Sequence, residues 1–136
     1  MRTVVDAVAI VAALDRRELW HKKSDRLFRE LPKPLLTCEA VIAEACYLLS
    51  ESALAIENIM TLISSRTVSI DFSLMEEIGA IDYLMRKYND VPMSLADACL
   101  VRMSEIFDAP VFTFDTDFRI YRRNRKNVIP LIGIDN

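Results

Sequence analysis

Apolar residues fall along this chain in short runs, separated by longer stretches in which they recur every three or four positions. The β-branched run Thr3 to Asp6, TVVD, reads as a buried strand. Val8 to Leu14 reads as a helix. From Glu18 to Leu31 the positions Leu19, Leu27, Phe28 and Leu31 keep helical spacing until Pro32 and Pro34 end it. Leu35 to Thr37 is a second, very short strand. Thr37 stands where it would cap a helix running to about Leu49, and Ser52 where it would cap one to about Ile63. Thr67 to Asp71 alternates as a third strand, and Ser73 opens a helix through about Tyr88. Ser94 opens another to about Phe107. Pro110 to Phe114 is a fourth strand and Asn127 to Ile132 a fifth, placed at an edge because Pro130 has no amide proton to give a ladder.

Strands that alternate with helices predict an α/β domain with a parallel sheet covered on both faces. Such sheets bind ligands beyond the carboxyl ends of their strands, where strand order reverses. The length of 136 residues suits one domain, 1–136, and 52 % hydrophobic residues fill a core without a metal or disulfide frame. Cys38, Cys46 and Cys99 sit in apolar contexts and read as small core residues in a reducing, cytoplasmic compartment. A single histidine, His21, and the lack of paired-cysteine spacing argue against a zinc site. The N-terminal apolar run is interrupted by Asp6 and is too short for a bilayer, so no membrane is expected. The net charge of −3 argues against a protein that coats nucleic acid. Yet five cations and no acid lie between Arg119 and Lys126, leaving 12 basic and 20 acidic residues elsewhere.

The acids carry the candidate chemistry. Asp6 ends the first strand, where an aspartate is a turn residue or a helix cap, or else a functional group at the sheet's carboxyl edge. Glu44 has Ala40, Val41, Tyr47 and Leu48 as its helical neighbours. In so apolar a setting a carboxylate needs a partner, a proton or a cation, unless its head escapes to water. Glu39, in the first turn of the same helix, complements the dipole. Asp97 is the one charge from Met93 to Val101, and Ser94 to Asp97 resembles a capping box. Asp115 and Asp117 follow the fourth strand and would share a face if the segment stayed extended. Acids from four separate segments gather in one pocket only if something neutralises them, and a hard divalent cation, Mg²⁺ or Mn²⁺, does so economically.

Four blocks of the chain together resemble the PIN-domain family, in particular VapC-type toxin ribonucleases. These are VVDAVAIVAALDRRELWH with Asp6, LTCEAVIAEACYLLS with Glu44, KYNDVPMSLADACLVRMSE with Asp97, and VFTFDTDFRIYRR with Thr113, Asp115 and Asp117-Phe118. The resemblance implies a three-layer fold with a parallel five-stranded sheet in the order 3-2-1-4-5. It also implies metal-dependent RNA cleavage leaving 5′-phosphate and 3′-hydroxyl ends, a homodimer, and a small antitoxin that inserts a segment into the active-site groove. Asp6, Glu44, Asp97 and Asp115 would then be catalytic, holding Mg²⁺ or Mn²⁺ with Asp117 as a supplementary ligand. Thr113 and Ser94 would support them. Arg119, Arg122 and Arg123 would hold RNA phosphates. Ala7 departs from the family's usual Thr or Ser after the first acid, removing a hydroxyl partner.

That departure gives the alternative reading its content: a catalytically weakened PIN-like module that binds RNA or protein. A phosphatase, suggested by Asp-Thr-Asp after a strand, would carry that motif on an early strand, and here it comes late. Met60, Met75, Met85, Met93 and Met103 are expected mostly as core filler, and Trp20 and His21 in packing or at an interface. Phe118 is expected in the core, and Tyr121 is a candidate for stacking on bases.

Overall fold

The computed structural model describes residues 1–135. Its order is β1 (Val4–Val5), α1 (Ala7–Leu14), α2 (His21–Glu30), β2 (Leu35–Thr37), α3 (Glu39–Leu48), α4 (Ala53–Ser64) and β3 (Val68–Ile70). There follow α5 (Ile78–Lys87), α6 (Leu95–Ile106), β4 (Val111–Phe112), a 3₁₀ turn (Thr116–Arg119), β5 (Arg122–Arg123), β6 (Asn127–Val128) and β7 (Leu131–Ile132). Five strands form a parallel sheet, β3-β2-β1-β4-β7, flanked by helices on both faces, as the alternating pattern predicts. Strand order reverses between β1 and β4, so Asp6 and the residues after Phe112 emerge side by side. The sheet's strands are almost wholly buried, which is why they read as β-branched or apolar runs rather than as alternation.

Several boundaries differ from the sequence expectation, each for a local reason. Thr37 does not cap α3: it stays in β2, its hydroxyl donating to the Val5 carbonyl at 3.0 Å, and Cys38 takes the cap position. The helix expected from Glu18 starts at His21 because Asp15 and Glu18 spend their carbonyls on a turn. The helix expected from Ser73 starts at Ile78. Ser73 caps only a preliminary turn, its oxygen accepting from the Glu76 amide at 3.3 Å. The expected fifth strand, Asn127 to Ile132, is two strands. Asn127–Val128 pairs antiparallel with Arg122–Arg123 as a separate hairpin, and only Leu131–Ile132 joins the parallel sheet, next to β4 at its edge. Ser52 and Ser94 do cap α4 and α6.

The core runs continuously through Val4, Val5, Ile10, Leu35, Leu100, Val111, Phe112 and Phe118. Met93 and Met103 belong to it and Met85 packs on its margin, but Met60 and Met75 are exposed and fill nothing. Cys38 and Cys99 are buried free thiols in mutual hydrogen-bond contact, which holds Cys38 below its ordinary value; Cys46 is half-buried. Among the described residues no helix is long and apolar enough to cross a membrane.

Gly133 bounds the strand end that carries Thr113. Its φ of +105° suits glycine, and a Cβ there would lie 2.5 Å from the Thr113 carbonyl oxygen. Gly133→Ala is expected to destabilise the fold by more than the ~1 kcal/mol of an ordinary backbone entropy effect, read as a lowered urea midpoint with an unchanged slope. An unchanged midpoint would show that β7 does not depend on this close approach.

Candidate active site

Asp6 is the deepest of the candidate acids. It caps α1, accepting from the Ala7 amide at 2.7 Å through Oδ1. Its other oxygen accepts from the Thr113 hydroxyl at 2.7 Å, a bond that crosses from β1 to β4. Thr113 in turn accepts from the Asp115 amide at 2.9 Å, fixing the turn that follows β4. Burial lifts Asp6 from 3.8 to about 7. The Thr113 bond opposes that rise, while the charges of Asp97 and Glu44 add to it. The hydroxyl that Ala7 lacks is thus supplied to Asp6 from a neighbouring strand, although Ala7 still offers only its backbone at its own position.

Asp97 performs two tasks. Ser94 Oγ accepts from the Asp97 amide at 3.0 Å, and Asp97 Oδ2 accepts from the Ser94 amide at 3.4 Å, completing the expected capping box. The same Oδ2 accepts from the Tyr121 hydroxyl at 2.9 Å. Partial burial raises Asp97 above its ordinary value, against the pull of the Tyr121 and Ser94 bonds and with help from Asp115. Tyr121 is fully buried, edge-on to both Tyr88 and Phe118, so it does not face RNA bases as the sequence suggested; Phe118 is in the core as expected. Sequence reasoning missed this bond because nothing in one dimension links residues 97 and 121.

Glu44 lies on α3 with its residue exposed. Of its four helical neighbours only Val41 is buried, Tyr47 and Leu48 being open to solvent. The apolar wall expected around Glu44 is therefore a margin. Its acid is nonetheless raised, first by partial desolvation and then by the charges of Asp97 and Asp115. Asp115 caps the 3₁₀ turn, accepting from the Asp117 amide at 2.9 Å. The segment is coiled rather than extended, so Asp115 and Asp117 do not share a strand face, and Asp117 acts instead on Tyr121, whose phenol is raised chiefly by burial.

Asp6, Glu44, Asp97 and Asp115 therefore come from four elements into electrostatic reach: Asp97 and Glu44 act on Asp6, Asp97 and Asp115 on Glu44, and Asp115 on Asp97. The donor set fits a hard divalent cation in kind, since it consists of carboxylate oxygens with neither thiolate nor imidazole among them. Among the described residues no group of three or more His, Cys, Asp or Glu side chains is arranged to hold a metal ion as placed. Like charges without a counterion separate, and here Asp6, Asp97 and Asp115 each find an amide or hydroxyl partner while Glu44 lies toward solvent.

The basic segment folds as the β5–β6 hairpin and its approach. Arg119 Nε donates to the Asp135 carbonyl at 2.8 Å, and one Arg122 nitrogen donates to the carbonyls of Arg119, Ile120 and Tyr121. Arg123 pairs with Asp108 at 2.9 Å and donates to the Ser104 carbonyl near the end of α6. The Arg122 amide donates to Tyr88 Oη at 2.9 Å, which packs the hairpin against the Tyr88–Tyr121 pair.

The sequence model of one protein family, described as PIN domain, matches residues 3–124. Among solved structures, VapC20 of Mycobacterium tuberculosis, a sarcin-ricin loop cleaving toxin, is 21 % identical. The match covers 94 % of this chain and 99 % of that one at a TM-score of 0.76. VapBC2 of Rickettsia felis, bound to a DNA fragment from its promoter, is 17 % identical over 97 % of this chain and 98 % of that one, at a TM-score of 0.63. No curated protein matches significantly by sequence.

Two predictions follow from this geometry. The folded Asp6 holds a proton that the unfolded chain releases at lower pH, so metal-free stability is expected to fall as pH rises from about 4 to about 7. Asp6→Asn should flatten that slope in denaturation curves taken across the window; an unchanged slope would assign the loss elsewhere. Tyr121→Phe keeps the ring packing but removes the donor to Asp97, and should weaken Mn²⁺ binding by about 10-fold, as loss of an outer hydrogen bond to a ligand does. Calorimetric titration of both proteins with Mn²⁺ measures this, and equal affinities would make the bond incidental.

Proposed function

This chain belongs to the PIN-domain family, and on that premise we propose that it is a metal-dependent endoribonuclease, the toxin of a toxin–antitoxin pair. The observation that carries the reading is the electrostatic coupling of acids from separate elements near the carboxyl edge of the sheet: Asp97 and Glu44 raise the pKa of Asp6, and Asp115 raises those of Glu44 and Asp97. Mg²⁺ or Mn²⁺ held by these oxygens, with Asp117 in support, would supply Lewis-acid polarisation of a phosphodiester and a water reactive at neutral pH.

The chain's own part is positioning. Asp6 is fixed through both oxygens by Ala7 and Thr113, so its lone pairs have one orientation. Asp97 is fixed through Oδ2 by Ser94 and Tyr121, leaving Oδ1 for a ligand. Glu44, more exposed and on another helix, is the member with freedom to turn inward. The one histidine is committed to the Ala12 carbonyl at 2.7 Å, so the carboxylates are the groups at hand to accept a proton from an attacking water. Arg119, Arg122 and Arg123 would present positive charge to the RNA backbone, Arg119 being the most exposed of the three. The likeness to the Rickettsia VapBC2 structure supports a small antitoxin partner, and the reading further includes a homodimer.

Ala7 favours a second reading, a PIN-like module that binds RNA or protein without cutting, because it lacks a side-chain hydroxyl beside Asp6. One experiment separates the two. Incubated with a structured RNA and millimolar Mn²⁺ or Mg²⁺, the protein is expected to cleave, and EDTA and Asp97→Asn should each reduce cleavage by at least about 100-fold, beyond the usual outer-contact loss. The same ions should raise thermal stability, by about 2.7 kcal/mol at a hundredfold excess over Kd. Retention of RNA without cleavage at any metal concentration would establish the module instead.

A further inference from the structure

The chain's single tryptophan is not in its core. Trp20 is 41 % exposed at the N-terminal boundary of α2, although a large aromatic ring gains more from burial than most side chains. One face lies flat on Phe114, with ring centroids 5.3 Å apart and planes within 1° of parallel. Phe114 is buried and braced. Phe112 meets it edge-on at 5.8 Å, and Gly133 approaches so closely that a Cβ would lie 3.3 Å from its ring. The first turn of α2 is pinned to α1 by the His21 ring at the Ala12 carbonyl and by the Ser24 hydroxyl, which donates to the Ala9 carbonyl at 2.7 Å. The indole plane is thus held from behind and at its base.

Two further facts point outward from that plane. Phe114 stands between Thr113, which bonds Asp6, and Asp115, so the residue backing Trp20 is part of the strand end that builds the carboxylate site. Lys23 carries its ammonium over the Trp20 ring, 5.9 Å from the centroid, on a flexible stem that can swing aside to an adjacent phosphate when a base takes that face. A rigid, partly exposed aromatic plane with a mobile cation over it suits single-stranded nucleic acid, because every base has a π-face and every linkage a negative charge. A flat ring held this firmly also loses little freedom when a base settles on it.

We propose that Trp20, backed by Phe114 and flanked by Lys23, is a stacking subsite for an unpaired nucleobase of the RNA, with Lys23 engaging an adjacent phosphate. This rests on the ribonuclease reading for its ligand class but not for its geometry. It adds a contact on α2, an element separate from the basic hairpin, next to the strand end that carries Thr113 and Asp115. It also favours single-stranded or looped RNA over a continuous duplex, whose bases are not free to stack.

Trp20 is its own reporter, since tryptophan emission comes from this residue alone. With EDTA present to prevent cleavage, the full chain is titrated with a short oligoadenylate and with an abasic oligomer of the same length and charge. Saturable quenching by the first and none by the second is expected. Trp20→Ala should weaken binding of a fluorescein-labelled oligoadenylate by about tenfold, within the range that loss of one stacking platform gives, and Lys23→Ala should lower the salt dependence of binding by about one ion. Trp20→Phe, which keeps a smaller aromatic plane, should recover part of the affinity and guards against a folding defect. Equal quenching by the abasic oligomer, or unchanged affinity in Trp20→Ala, would overturn the subsite. A Trp20→Ala change in oligomeric mass without loss of RNA affinity would also overturn it and assign the ring to a protein contact. Base-dependent quenching in a wild-type protein that never cleaves with Mn²⁺ would leave the subsite standing and remove the ribonuclease.

Discussion

The hydrogen bond from the Thr113 hydroxyl to Asp6 ties the structure together at its functional edge. It joins the ends of β1 and β4, the two strands between which the sheet reverses order, and it does so on a carboxylate from which water is nearly excluded. An ionised acid in that position is unfavourable by several kcal/mol unless it is compensated. Two donors compensate it only in part, which is why its acidity is displaced so far. Without a counterion Asp6 therefore keeps its proton to a higher pH than an exposed aspartate does, while still capping α1 and joining β1 to β4. A salt bridge would have opposed that rise, and among the described residues no cation pairs with Asp6.

The neighbouring acids are held by the same economy of local bonds. Asp97 serves as the second half of a helix cap and as the acceptor for a buried tyrosine, so its position follows from α6 and from the turn after β4 at once. Asp115 caps the short turn that brings Tyr121 back under the helices. Through Tyr88, whose oxygen accepts from the Arg122 amide, the basic hairpin is built onto the same aromatic pair that backs Asp97. The anionic and cationic parts of the surface thus share one buried scaffold. Arg123 illustrates how little of a charge run is free: it is largely shielded, tied to Asp108 and to a carbonyl near the end of α6, where a cation also suits the helix dipole.

Much of this was legible in the residue pattern. Short β-branched runs gave the parallel strands because a strand buried on both faces has no polar side to alternate. Ser52 and Ser94 marked two helix starts because a side-chain oxygen there satisfies an amide the helix leaves open. Thr37 misled because its hydroxyl had a better partner, the Val5 carbonyl on the adjacent strand. Ser73 misled because a single capped turn need not propagate. Asn127 to Ile132 was read as one strand because nothing local reveals that its first half pairs backwards with Arg122–Arg123 while its second half turns onto β4. The pattern places Trp20 in packing or at an interface; only the fold decides that it packs on Phe114 and how much of it stays in water.

By itself the sequence determined the class of the sheet, the acids that stand at helix and strand ends, and the placement of a cationic segment after the last of them. These follow from periodicity, capping and charge, which act between residues a few positions apart. The distance from Asp6 to Thr113, the bond from Tyr121 to Asp97, the exposure of Glu44 and the stacking of Trp20 on Phe114 were decided only by the tertiary structure. Each joins residues remote in the chain. Burial, which displaces the acidity of the site and orients its rings, is a property of the packed whole and not of any local run.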